Sequence, residues 1–383
     1  MDMTKPLGRQ VWHSRFVPPA RYEPYAWAAC AVAALSLALA SDLRPHQVWG
    51  AAAAAGYAVA AVLACDARSR SASRAAAVAG AVVVPLGWLV AAGLGQLELT
   101  VVKRSGHLLL TTGSPYTTDP HAVADFNPYL PGMALFGMLP GDARWWLGGA
   151  FVACLIAGGQ YRAWLLACPL VALPLTVGGI DLPVVGLMCL GLVLAEQGRP
   201  GRAGLVLGAA AALKWTAWPA LAVALALIAA RRGRRPALRY AAVALTTTTV
   251  AVLPFALAEP AGFYRNVVAF PLGLTATRSP AASPLPGYLL ATYVPGGTVI
   301  PLALLAVSAL LIAVSVVVRP PGTARTAASR LALGLGLAMA LMPATRFGYL
   351  VYPLVLGALA YGASRRRRTT LVLAGETREK ALA

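Results

Sequence analysis

Long runs of Ala, Leu, Val and Gly, broken at intervals by small groups of arginine, set the pattern of this chain. A bilayer-spanning helix needs about 20 apolar residues, with ~17–25 the usual range. Shorter ones are tolerated where a bundle or a cavity surrounds them. On that measure twelve apolar segments cross: 26–41, 48–65, 75–96, 144–160, 163–179, 183–196, 203–213, 218–230, 237–258, 297–318, 331–343 and 349–363. Two further apolar pieces, 128–140 and 286–296, are too short to cross comfortably and carry Pro and Gly. They are expected to lie on the outer surface. Parity supports this, because a crossing at 128–140 would turn the GRPGR loop at 198–202 and the Arg231 cluster outward. The pattern predicts an all-α polytopic membrane protein with about 12 transmembrane helices. It also predicts a large first extracytoplasmic loop, 97–143, that contains interfacial helices.

Composition agrees with the pattern. Hydrophobic residues make up 59% of the 383 and charged residues 12%, against about 25% charged in an ordinary globular domain. A net charge of +19 would suggest nucleic acid as partner in a soluble protein. Here the cations sit between apolar runs, at Arg68/Arg70/Arg74, Arg231/Arg232/Arg234/Arg235, Arg319/Arg325/Arg330 and Arg365–Arg368. That placement is the positive-inside signature, which orients helices and says little about partners. The predicted topology puts 24 of the 32 Lys and Arg residues on cytoplasmic segments and eight outside, with both termini cytoplasmic. The expected location is therefore a cell membrane crossed many times, with no nucleic-acid partner.

The five cysteines, Cys30, Cys65, Cys154, Cys168 and Cys189, lie in or beside apolar runs without metal spacing, so they are expected as small core residues. The first 25 residues are polar and basic, with Lys5, Arg9, Arg15 and Arg21. No small-residue cleavage site follows, which predicts a retained first helix. The expected organisation is a cytoplasmic N-terminus plus two additional transmembrane helices over 1–74, a transmembrane module over 75–363, and a cytoplasmic tail over 364–383.

The outer face then holds a short set of polar residues: Asp42, Arg44, the stretch 98–127, Asp142, Arg144, Asp181, Lys214, Glu259, Arg265, Arg278 and Arg346. Asp181, Lys214 and Arg346 fall at the tips of tight helical hairpins, where ionisable groups at membrane depth suggest function. Sugar transfer to a hydroxyl needs a base for the hydroxyl proton and cations to hold the leaving group as charge develops on it. An outward acid beside Lys and Arg meets both needs. A lipid-phosphate leaving group would also explain an enzyme embedded in a bilayer. The stretch 98–127 supplies Glu98, Asp119 and Asp125 as acids, Lys103 and Arg104 as cations, and His107 and His121. His107, His121 and Asp119 lack metal-ligand spacing, so no metal site is assigned. No cofactor is assigned, and a divalent cation is the one candidate. Two other classes fit the same residues: a transporter or lipid flippase, and an inactive membrane scaffold. The acids sit at hairpin tips rather than at mid-helix depth, which weighs against transport.

Several motifs in order resemble the GT-C superfamily, and within it glycosyltransferase family 87. Glu98 is followed seventeen residues later by the proline of Gly113-Ser114-Pro115-Tyr116. Next come Tyr129-Leu130-Pro131-Gly132 and the Gly178-Gly179-Ile180-Asp181 turn, where the family often has Gly-Gln-x-Asn. GRAGLVLGAAAALKWTAWP at 201–219 and PATRFGYLVYP at 343–353 complete the series. The resemblance covers roughly 75–363. It implies a GT-C-like fold and an inverting transfer of a hexose, mannose first, on the outer face. The donor would be a polyprenyl-phosphate sugar and the acceptor a lipid, glycan or protein hydroxyl. It places the base at Glu98, where the family usually has Asp. Asp181, Asp119 and Asp125 are the substitutes, with Asp181 first. Lys214, Arg346, Lys103 and Arg104 are the candidates for the donor phosphate, since Arg offers a bidentate fork and Lys a point charge. Arg278 could bind it in the same way. Tyr116, Asp119, Asp125, His107, Tyr349 and Trp215 are the candidates to line the substrate site. Trp215, Trp218, Tyr349 and Tyr352 fit either sugar stacking or an aromatic belt.

Overall fold

A computed structural model of the protein describes residues 20–277 and 279–361. Among these residues the chain is helical throughout, without strands and with one isolated bridge between Ala282 and Thr345. In chain order the main helices are α1 (Glu23–Ala40), α2 (Arg44–Ala64), α3 (Ala67–Ala91), α4 (Leu97–Thr112), α5 (Ala143–Ala157), α6 (Pro169–Val177) and α7 (Asp181–Glu196). They continue as α8 (Pro200–Leu213), α9 (Trp218–Arg232), α10 (Arg234–Ala258), α11 (Pro286–Tyr293), α12 (Val299–Val318), α13 (Ala324–Leu341) and α14 (Phe347–Tyr361).

Among the described residues five helices, α1, α2, α3, α10 and α12, are long and apolar enough to cross a membrane. Their faces are turned outward: within α12, Leu310, Leu311, Val317 and Val318 are all exposed. An apolar surface of this kind needs a bilayer to cover it. Most of the other segments predicted to cross form shorter helices. The segment 163–179 is broken by Pro169, which leaves α6 with 9 residues. At 1.5 Å rise per residue this is ~14 Å, about half the ~30 Å hydrocarbon core. Helix α7 has 16 residues and is buried along most of its length, Met188 and Leu192 completely. It is the core around which α5, α8, α9 and α13 pack. A helix encased in protein has no need to match the bilayer, which is why short apolar segments serve here.

Two features of the stretch 97–143 differ from expectation. Residues 97–112, expected as loop, form α4. Its buried positions, Leu99, Val102 and Gly106, recur at helical spacing, and Gly113 ends it in the left-handed region at φ 78°. Glu98 therefore lies in the first turn of a helix. The segment 128–140, expected on the surface, is wedged inward. Leu130 and Met133 are fully buried, and the Leu130 N–H donates to Leu213 O at 3.1 Å. The second piece, 286–296, carries the short helix α11, whose Gly287 lies against the Leu341 carbonyl at the end of α13.

The first two helices are fastened to the remainder. The Tyr57 hydroxyl donates to Ala167 O at 2.5 Å and Trp49 Nε1 to Ala81 O at 2.8 Å. The contacts also sort the chain into two ends. At one, Arg74 pairs with Glu23 at 2.8 Å and Arg231 donates to Gly322 O at 2.6 Å. The arginine groups of the short loops gather there. The opposite end carries the turns after α1, α3, α6 and α8 and the start of α14, and it holds the candidate site.

Candidate active site

The site is built where helix ends meet. Helix α4 begins by docking on the turn that leaves α6: the Gln96 N–H donates to Val177 O at 2.8 Å, and Leu99 packs over Gly178. Gly178 has φ 100°, a conformation that favours glycine, and a Cβ there would meet Leu99 at 3.0 Å. Beneath this junction Arg144 is almost completely buried. It binds the Leu94, Thr176 and Leu89 carbonyls at 2.7, 3.0 and 3.2 Å and the Asp142 carboxylate at 2.8 Å. Burial opposes the Asp142 charge, but the Arg144 hydrogen bonds outweigh it and hold the carboxyl below its ordinary range. One guanidinium thus ties α3, α5 and α6 together under the site.

Two acid–cation pairs sit on this platform. Asp181, the first residue of α7, receives Lys214 Nζ at 2.6 Å and the Tyr352 hydroxyl at 2.6 Å, both on Oδ1. Thr216 in turn donates to the Tyr352 oxygen at 2.7 Å. Lys214 lies 4.6 Å from the centre of the Tyr349 ring and 5.8 Å from that of Tyr129, within range of cation–π attraction. Burial works against the ammonium, but Asp181 and then Tyr349 more than offset it, so the lysine stays charged. The second pair joins Glu98, in the first turn of α4, to Arg346, which precedes α14. Helix ends favour these placements. Asp181 and Glu98 lie at helix N-termini and Lys214 at a C-terminus, each the stabilising sign. Arg346 sits at an N-terminus, the unfavourable sign, which its Glu98 partner offsets.

The two pairs share their supports. The segment Arg346–Tyr352 supplies Arg346 to Glu98, Tyr349 to Lys214 and Tyr352 to Asp181. The turn 177–181 holds α4 on one side and carries Asp181 on the other. Four residues separated by up to 248 positions in sequence are thereby drawn to one end of the bundle.

The remaining expected residues lie elsewhere. Arg104 is occupied by the loop, donating to the Ala124 and Asp125 carbonyls, the latter at 2.8 Å. Asp125 accepts from the Ala122 and His121 backbone N–H groups, which hold its carboxyl below the usual range. Lys103 and His107 are exposed on α4. Tyr116 is buried, with its hydroxyl donating to Tyr129 O at 3.0 Å. Asp119 is exposed and pairs with His121 at 3.1 Å and Arg265 at 3.2 Å. Trp215 stands half exposed beside Lys214, its ring 4.5 Å from that of Trp218. Arg278 lies outside the described residues. Among those residues, no group of three or more His, Cys, Asp or Glu is placed to hold a metal ion.

The loop 113–130 is stitched to the segment after α10. Ser114 donates to Glu259 at 2.9 Å, Asn127 N–H to Asn266 at 2.8 Å, Asn266 to Thr117 O at 3.1 Å and Thr277 to His121 O at 2.8 Å. Phe126 stacks on Phe270 at 4.2 Å. Tyr352 and Thr216 are the functional candidates that sequence reasoning underweighted. Their signal was available, since Thr216 lies two residues from Lys214 and Tyr352 six residues from Arg346.

No curated protein and no solved structure matches the chain. A family match covers residues 155–344, narrower than the 75–363 expected, and it takes in Asp181 and Lys214 while leaving out Glu98 and Arg346. That match is to Glycosyltransferase family 87, so over this core the chain resembles the family, and the match implies a membrane glycosyltransferase.

Proposed function

We propose that the protein moves a hexose, mannose first, from a polyprenyl-phosphate donor to an acceptor hydroxyl on a lipid, glycan or protein at the extracytoplasmic face. The observation that carries this reading is the assembly of two acid–cation pairs at the end of the bundle away from the arginine-rich loops. In an inverting transfer a carboxylate takes the hydroxyl proton while the oxygen attacks the sugar C1. The C1–phosphate bond breaks in the same displacement, and the lipid phosphate leaves with its charge. Glu98 is the base and Arg346 and Lys214 hold the phosphate; Asp181 positions Lys214. Without substrate each cation is bound by an acid. A donor phosphate competes for the cations, so loading the donor and releasing the base become one event. The exposed Trp215 and Trp218 beside Lys214 suit the apolar prenyl chain.

The test is a cell-free assay with polyprenyl-phosphate sugars. General-base catalysis contributes about 10²–10⁴-fold, so Glu98→Gln should lower kcat by at least ~100-fold while the fold is kept. Unaltered transfer by that variant would remove Glu98 from the reaction. Loss with Asp181→Asn alone would pass the role to Asp181.

A further inference from the structure

Arg346 stands just before α14 in extended backbone, at φ −130° and ψ 143°. No helix fixes it there, so the peptides on either side set the direction of its side chain. Those peptides are gripped by one short stretch, 281–285. Its sequence, with the residue that follows, is Ala281-Ala282-Ser283-Pro284-Leu285-Pro286, and a residue before proline is driven into extended backbone. The stretch runs parallel to the segment before α14, with the bridge at Ala282 and Thr345. The Thr345 N–H donates to Ala281 O at 3.2 Å, and the Ser283 N–H donates to Thr345 O at 3.0 Å. The next rung of a parallel ladder would carry the Phe347 N–H to the Ser283 carbonyl. That carbonyl is already taken by the Leu285 N–H at 2.7 Å, and the Ser283 hydroxyl accepts the Phe347 N–H in its place at 3.0 Å. Ser283 thus binds the residue before Arg346 with its backbone and the residue after it with its side chain. Side chains alternate along extended backbone: Thr345 is fully buried, and Arg346 reaches Glu98.

We propose that Ser283 is a positioning residue for Arg346. Its hydroxyl completes the short ladder and so aims the guanidinium at the Glu98 carboxylate and the donor phosphate. This rests on the reading of Arg346 as a phosphate-holding cation, and Ser283 acts through it. Alanine at 283 leaves the two backbone rungs and removes the third. The Phe347 N–H then loses its acceptor, and the peptide after Arg346 is free to turn. Threonine keeps the hydroxyl and suits extended backbone.

One arm of the experiment needs no turnover. Glu98→Ala is made in the unaltered protein and in Ser283→Ala, and thermal unfolding is followed in detergent. A carboxylate at which no guanidinium is aimed contributes less, so Glu98→Ala should lower Tm by only about half as much in the Ser283→Ala background. Equal drops in the two backgrounds would overturn the inference. The second arm is transfer from polyprenyl-phosphate sugar. Ser283→Ala should raise the donor KM by roughly tenfold, the worth of one hydrogen bond, while the acceptor KM holds. Ser283→Thr should restore the donor KM. A donor KM unmoved by alanine, or moved equally by alanine and threonine, would also overturn it. So would a rise of donor and acceptor KM together, the mark of a general loosening. If the unaltered protein transfers no sugar, the proposed function fails, and the stability arm still decides whether Ser283 holds Arg346 in place.

Discussion

The Asp181–Lys214 pair allows a sharp test, because a structural ion pair and a functional one respond differently to the same substitutions. Both side chains are only 12% exposed and 2.6 Å apart. Removing one partner of such a pair leaves an uncompensated charge and costs about 3–5 kcal/mol. Replacing both with apolar residues of similar volume is often neutral or stabilising. For 383 residues an unfolding entropy of ~2.1 cal/mol/K per residue gives ~0.8 kcal/mol/K, so a loss of ~4 kcal/mol lowers Tm by ~5 °C. Lys214→Met and Asp181→Leu should each show such a drop. The double variant should regain most of it, with Tyr352 and Thr216 left to pair with each other. If the pair serves transfer, the double variant will be stable and inactive. Thermal unfolding in detergent and transfer from polyprenyl-phosphate sugar are the two measurements. A double variant both stable and fully active would refute a role in transfer, and single variants within ~1 kcal/mol of the parent would refute the burial argument.

Other outcomes follow from the platform and the loop. Arg104→Ala removes two hydrogen bonds to the 124–125 backbone, and partial exposure limits the cost to about 1 kcal/mol; limited proteolysis should then cut within 117–127 faster. Asp125 has a depressed folded pKa, so what it adds to loop order is present above its unfolded value of ~3.9 and lost as pH falls through the folded value. Hydrogen exchange at the Ala122 amide should therefore quicken only below pH ~4, and Asp125→Asn should exchange quickly already at neutral pH. A Cβ on Gly106 would meet the Gly137 carbonyl carbon at 2.2 Å, so Gly106→Ala should destabilise by about 1–3 kcal/mol and slow transfer by tilting Glu98.

Much of this arrangement was legible beforehand because its signals are local. Hydrophobic run length found the five long helices, and an ionisable residue at a hairpin tip picked out Asp181, Lys214 and Arg346. What escaped was set by neighbours far away in sequence. The polar face of α4 masked its helical spacing: Lys103, Arg104 and His107 read as loop, although Leu99, Val102 and Gly106 form the buried stripe. The 128–140 segment has the composition of a surface helix, and the contacts that draw it inside, such as the close approach of Gly132 to the Ala212 carbonyl, come from a distant part of the chain. The pairing of Glu98 with Arg346 depends on the mutual placement of two separate helix ends, which no window along the chain records.

The stitching of the 113–130 loop to the 259–277 segment has a practical corollary. Ser114, Thr117, His121 and Asn127 meet partners at Glu259, Asn266 and Thr277, so the two stretches form a single unit of exchange. An effort to broaden acceptor choice by transplanting one stretch from a relative would orphan several donors and acceptors at once, whereas transplanting both together would carry their mutual contacts along.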